Sequence, residues 1–126
     1  MALYLDSSAL AKLVLHERET SALASFVEDR TVTSSVVAYV ELRRAARRYD
    51  RESATLGLLT RIPGIELTDE VIDLAAEANP TSLSSLDAIH LASATWMGSQ
   101  LDAFVAYDRR LAEAARAAGL EVVSPA

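Results

Sequence analysis

The chain has 126 residues, 51% hydrophobic and 24% charged, which suits one globular domain (residues 1–126) with its own core and leaves little room for two. A net charge of −6 argues against a nonspecific nucleic-acid coat, and the absence of cysteine excludes a disulfide framework, a thiol nucleophile and a thiolate zinc site. No apolar run approaches the roughly 20 residues that span a bilayer, and the N-terminus lacks the pattern of a secretory signal, so a cytoplasmic protein making no membrane contact is expected.

Short apolar runs alternate with longer helical patterns, the signature of an α/β fold with a central parallel sheet between helices. Residues 2 to 5 read as the first strand, followed by a helix that Ser7 or Ser8 can cap. A second helix is expected over residues 18 to 29, and Thr31 to Thr33 form a short strand. Helical patterns cover residues 35 to 49 and 52 to 61, closed by Pro63 and Gly64, and Ile65 to Leu67 make a third strand. Thr68 with Asp69 and Glu70 starts a helix that ends near Asn79 and Pro80. Ser84 and Ser85 start another, running to about Trp96; Leu101 to Ala106 form a strand, residues 109 to 118 a helix closed by Gly119, and Leu120 to Val123 the last strand. No internal repeat, low-complexity segment or linker interrupts the series.

Four acids stand against core segments: Asp6 after Ala2 to Leu5, Glu41 after Val36 to Val40, Asp87 within Leu86 to Ala92, and Asp108 after Ala103 to Tyr107. An ionised carboxylate beside a core is costly unless it is solvated, paired or holding a cation. Each has an ordinary alternative. Asp6 and Asp108 can cap helices, Asp87 stands three residues after Ser84 as in a capping box, and Glu41 can pair with Arg44. One shared site accounts for all four together. Asp6 and Asp108 follow strands at the end of the sheet where α/β proteins bind ligands, and Glu41 and Asp87 lie in the first halves of helices that can reach the same rim. Carboxylates without cysteine, and with only two histidines in the chain, point to magnesium or manganese rather than zinc.

Other residues carry weaker signals. Asp87 and His90 are spaced to share a metal, but no second such pair accompanies them, so His90 reads as a packed side chain and His16 as a solvated one. Trp96 reads as core, on a stripe with Leu86, Ile89 and Ser93. Arg43, Arg44, Arg47, Arg48 and Arg51 concentrate positive charge, and either line a path for an RNA backbone or pair with Asp50 and Glu52 on a solvated face.

Four segments, in order, resemble the motifs of PIN-domain nucleases, and more narrowly those of VapC-type toxins of toxin–antitoxin pairs: Leu5 to Leu13 around Asp6, Glu41 to Ala45, Leu86 to Ala92 around Asp87, and Tyr107 to Ala112 around Asp108. The resemblance implies a three-layer α/β/α sandwich and a magnesium- or manganese-dependent endoribonuclease, with Asp6, Glu41, Asp87 and Asp108 as the catalytic and metal-binding acids. It implies that Ser8 orients a carboxylate through its hydroxyl, and that the partners are an RNA substrate, a cognate antitoxin and a second copy in a homodimer. Ala106 and Arg110 depart from the pattern, standing where many relatives carry a hydroxyl residue and some carry a further acid. The competing reading is a catalytically weak interaction module whose acidic pocket docks basic groups of a partner protein. A phosphatase with an aspartyl nucleophile or a phosphoacceptor receiver fits less well, because Ser8 stands where the former needs a second Asp and Lys12 is the only lysine.

Overall fold

The computed structural model describes residues 1–126. Five parallel strands form one sheet: β1 (Ala2–Leu5), β2 (Val32–Ser35), β3 (Gly64–Ile65), β4 (Leu101–Val105) and β5 (Val122–Val123). They lie in the order β3-β2-β1-β4-β5. Seven helices connect and cover them: α1 (Ser7–Val14), α2 (Thr20–Val27), α3 (Val37–Tyr49), α4 (Glu52–Leu59), α5 (Asp69–Ala76), α6 (Ser85–Met97) and α7 (Arg109–Ala117).

The alternation of side chains along the central strand explains the layering. Leu3 and Leu5 enter one core with Leu10, Leu23, Leu42 and Ile62, which come from α1, α2, α3 and the turn after α4. Tyr4 points to the opposite face and packs with Phe104, Leu91, Ala94, Leu111 and Ala115, so α6 and α7 form the other layer. Leu3, Tyr4 and Leu5 are fully buried, as expected of a parallel strand covered on both faces. The result is the expected three-layer α/β/α sandwich.

The chain runs outward from β1 through β2 to β3, then returns to β4 on the other side of β1. That reversal puts the topological switch point at the carboxyl ends of β1 and β4, where open α/β sheets bind ligands. Asp6 follows β1 directly, and Asp108 begins the helix that follows β4.

Several boundaries differ from the sequence reading. The first helix is capped by Asp6, whose Oδ1 accepts from the Ala9 N–H at 2.9 Å, rather than by Ser7 or Ser8. The second strand lies one or two residues later than Thr31 to Thr33, because its pairing with β1 joins Val32 and Thr33 to Leu3 and Tyr4. The third strand is Gly64–Ile65 rather than Ile65 to Leu67, and α5 stops at Ala76, ahead of the Asn79-Pro80 pair that disfavours helix. Trp96 is not core: it is 46% exposed, and its indole N–H donates to Glu70 at 3.1 Å. The buried side of α6 is built from Ala88, His90, Leu91, Ala92, Ser93 and Ala94, mostly small residues that allow close packing and turn the bulkier Leu86 and Trp96 outward. Gly119 closes α7 with a positive φ of 88°, as its position implied.

Candidate active site

Local helix chemistry places three of the four acids. Asp6 is the N-cap of α1; Asp108 is the N-cap of α7, accepting from the Leu111 N–H at 2.9 Å; Asp87 is the third residue of α6, which Ser84 caps by accepting the Asp87 N–H at 3.1 Å. Asp87 therefore lends its amide to a cap without lending its carboxylate to a backbone group. Each of these helix N-termini favours negative charge, which offsets part of the cost of grouping carboxylates. Glu41 has no such support: it is the fifth residue of α3 and is held by side chains from two other helices.

The environments of the acids differ in a telling way. Asp6 is 3% exposed, and its pKa is pushed up to about 6, chiefly by burial; the neighbouring Asp87 and Glu41 carboxylates add to the rise, while the Ala9 N–H and His90 oppose it. Burial and the charge of Asp108 likewise raise Asp87, with Glu41 contributing in the same sense. Burial also pushes Glu41 up, but hydrogen bonds from His90 and Ser7 outweigh it and hold the carboxyl below the ordinary range. Asp108 is exposed. The four acids thus form one electrostatic set, in which Asp6 feels Asp87 and Glu41, and Asp87 feels Asp108.

A buried network joins this set to the sheet. The Ser7 hydroxyl donates to Glu41 Oε1 at 2.6 Å, and His90 Nε2 lies 2.9 Å from the same oxygen and 2.8 Å from Ser7 Oγ. On the other side of the ring, His90 Nδ1 lies 2.6 Å from the Tyr4 hydroxyl. Tyr4 stacks on Phe104 with ring centroids 5.4 Å apart, and burial raises its pKa far above the ordinary value, so it remains a neutral phenol. Ser8, the residue expected to orient a carboxylate, is exposed and contacts none of the four acids through a hydrogen bond; Ser7 occupies that role toward Glu41. The first turn of α1 rotates Ser8 about 100° away from its neighbour, toward solvent.

Would this donor set hold a cation? Its chemistry fits: the one nitrogen near the carboxylates, His90 Nε2, is engaged with Glu41 and Ser7, which leaves oxygen donors, and a buried Asp6 carboxylate surrounded by other acids is a group that a hard divalent ion would relieve. As the side chains stand, no three acidic or imidazole groups converge closely enough to ligate a single ion. Closing a set of ligands around Asp6 therefore requires side-chain rotation, which the half-exposed Asp87, its carboxylate free of backbone bonds, can undergo.

The arginines of α3 divide between two faces. Arg44 and Arg48 border a groove of about 540 Å³ with Val37, Val40, Glu41, Ala45 and Leu86, whereas Arg43 and Arg47 border a crevice of about 70 Å³ against α4 with Glu52 and Thr55. None forms a salt bridge; the ion pairs of the molecule are Lys12 with Glu17 and Glu19, Arg30 with Asp102, and His90 with Glu41. Of the two readings of this run, the pairing with Asp50 and Glu52 is thus absent. His16 is exposed in the turn between α1 and α2, away from this network, as its polar neighbours implied.

Sequence reasoning located the four acids but missed Tyr4 and Ser7, and it read His90 as packing alone. The adjacency of Ser7 to Asp6 and the three-residue spacing of Asp87 and His90 were visible signals. What was not visible is that the fold brings Glu41 of α3 within hydrogen-bond distance of Ser7 in the first turn of α1 and of His90 in α6.

Comparison with known proteins bears on the family and the fold. The PIN domain family model matches residues 3–117. Ribonuclease VapC35 of Mycobacterium tuberculosis is 46% identical over 131 aligned positions, covering 98% of this chain and 96% of the relative. Ribonuclease VapC47 of the same species is 37% identical with the same coverage. Among solved structures, a toxin–antitoxin complex from Klebsiella pneumoniae superposes with a TM-score of 0.76 at 22% identity, covering 100% of this chain and 98% of that one. The M. tuberculosis toxin VapC20, described as cleaving the sarcin–ricin loop, gives 0.75 at 18% identity, covering 98% of this chain and all of the other. With the family model spanning nearly the whole sequence and VapC relatives aligned from end to end, the chain belongs to the PIN-domain family, within its VapC group.

Proposed function

We infer that this protein is an endoribonuclease that acts as the toxin of a toxin–antitoxin pair and depends on a divalent metal ion. The observation that carries the reading is the buried Asp6 carboxylate, electrostatically coupled to Asp87 and Glu41 at the topological switch of a PIN sheet. End-to-end similarity to ribonucleases of the VapC group supports RNA as the substrate, and the fold shared with the Klebsiella complex supports an antitoxin partner. Magnesium is the proposed ion, with manganese able to replace it, and a homodimer is the proposed assembly.

In the mechanism proposed here, Asp6, Glu41, Asp87 and Asp108 would hold the ion, Asp6 and Glu41 being already fixed by hydrogen bonds within the fold. When bound, the ion supplies Lewis acidity toward the scissile phosphate and lowers the pKa of water for in-line attack. The residues of the chain supply the rest. Asp6 is fixed by its cap bond to Ala9, so its second oxygen has a defined direction. Glu41 is fixed through Oε1 by Ser7 and His90. Arg44 and Arg48, unpaired and beside Glu41, are placed to receive phosphates flanking the cut, each adding to the salt dependence of binding. Arg43 and Arg47, on the α4 side, are the poorer candidates for that contact.

The test is expression. Induced production of the protein alone should arrest growth, and Asp87→Asn or co-expression of a small protein encoded beside it should relieve the arrest. Harmless accumulation of folded, metal-loaded protein would instead favour an interaction module that docks basic side chains in the acidic pocket.

A further inference from the structure

We propose that Ser7 and His90, with Tyr4 behind them, are positioning residues for Glu41, setting which of its oxygens is offered to a divalent cation. The inference rests on the metal-dependent reading above and concerns the one acid whose carboxylate is held by side chains of two other helices. Asp6 and Asp108 are each tied to an amide as N-caps, and Asp87 sits in a capped first turn. Glu41, inside α3 and with three side-chain torsions, would lose conformational entropy if ordered only on binding an ion.

The network removes that disorder in advance. Both donors, Ser7 Oγ at 2.6 Å and His90 Nε2 at 2.9 Å, converge on Oε1, leaving Oε2 without a protein partner. The proton on Nε2 follows from its partner: Glu41 Oε1 belongs to a carboxylate, which can only accept, so the nitrogen 2.9 Å from it carries the hydrogen. On the far side of the ring the buried Tyr4 hydroxyl lies 2.6 Å from Nδ1, with Ser34 and Ser93 also near that oxygen. Nδ1 of this tautomer accepts from the phenol. A phenol in the core thus braces the ring of a histidine, and the histidine with Ser7 sets the orientation of a carboxylate at the rim. Outer partners of this kind orient ligands in many metal sites and are typically worth about 10- to 100-fold in affinity. A histidine serving only as core filling would need neither Ser7 nor a particular tautomer.

The experiment is a double-mutant cycle read by binding of Mn2+ alone, measured by titration calorimetry, with unfolding by urea in chelator as the control for fold. Ser7→Ala should weaken Mn2+ binding roughly tenfold. In a Glu41→Gln background the same Ser7→Ala change should have no further effect, because it acts through Glu41. Tyr4→Phe, which keeps the ring stacking and removes only the hydroxyl, should weaken Mn2+ binding in the same direction, and Ser7→Thr should restore it. Equal weakening by Ser7→Ala in both backgrounds, or unchanged Mn2+ affinity with altered urea stability alone, would overturn the positioning role. A wild-type protein that binds no Mn2+ would overturn the metal-dependent reading itself, a result distinct from the first two.

Discussion

Replacing Asp6 by Asn should make the metal-free protein more stable at pH 8 while disabling its site. Asp6 titrates at about 6 in the fold, against about 3.9 for an aspartate in an unfolded chain. A raised carboxyl pKa means that the folded state binds the proton more tightly. The ionised group therefore costs nothing below pH 4, an increasing amount as pH rises from about 4 to 6, and the full amount above that. The rise from about 3.9 to about 6 corresponds to about 3 kcal/mol. Asn keeps the cap bond to Ala9, being as good an N-cap as Asp, so the substitution removes the buried charge and little else. For a domain of this size the gain is roughly 10 °C in Tm. Thermal melts in chelator at pH 4.5 and pH 8 measure it: the variant should melt well above wild type at pH 8, with the gap mostly closed at pH 4.5. Adding Mg2+ should raise wild type and leave Asp6→Asn unmoved. A variant less stable than wild type at pH 8 in chelator would refute the argument that burial and neighbouring acids strain this carboxylate.

Three further outcomes follow from the same geometry. Glu41→Gln, Asp87→Asn and Asp108→Asn should each lower RNA cleavage at least roughly 100-fold while leaving circular dichroism unchanged, since each removes charge from the rim without removing bulk. Gly64→Ala should destabilise the fold by about 1 to 2 kcal/mol in urea, because an added Cβ would stand 2.7 Å from the Tyr39 hydroxyl, which is itself anchored to the Ile62 carbonyl. Arg44→Ala with Arg48→Ala should flatten the salt dependence of RNA binding more than the paired change at Arg43 and Arg47, as measured by fluorescence anisotropy across a salt series.

The layering of this fold is readable in its sequence because both periodicities are clean. Leu3-Tyr4-Leu5 is uniformly apolar, as a doubly covered strand must be, and helix starts announce themselves through Thr68, Ser84 and Asp108. The edge strands were placed less well, since β3 and β5 each pair only two residues with the sheet and propensity alone cannot set such a short register. Trp96 shows the limit of stripe reasoning: α6 packs through alanines, and the close approach they permit leaves no space for an indole. At the site, the acids were legible because a carboxylate against a core segment is conspicuous. The Tyr4–His90–Glu41–Ser7 network was not, because its members lie 34 to 86 residues apart in pairs and only tertiary packing brings them within hydrogen-bond distance.

The central claim is that the acidic rim directs water, with a divalent ion, at an RNA phosphodiester. The alternative route to the same cut, attack by the RNA 2′-hydroxyl, needs a general base and acid flanking it. Here His90 has both ring nitrogens engaged inside the fold and His16 lies apart on an exposed turn. Mass spectrometry of the ends of a short RNA cut by the purified protein decides between them. The account predicts 5′-phosphate and 3′-hydroxyl termini, formed with Mg2+ or Mn2+ and absent in chelator; a 2′,3′-cyclic phosphate paired with a 5′-hydroxyl, or undiminished cleavage in chelator, would contradict it.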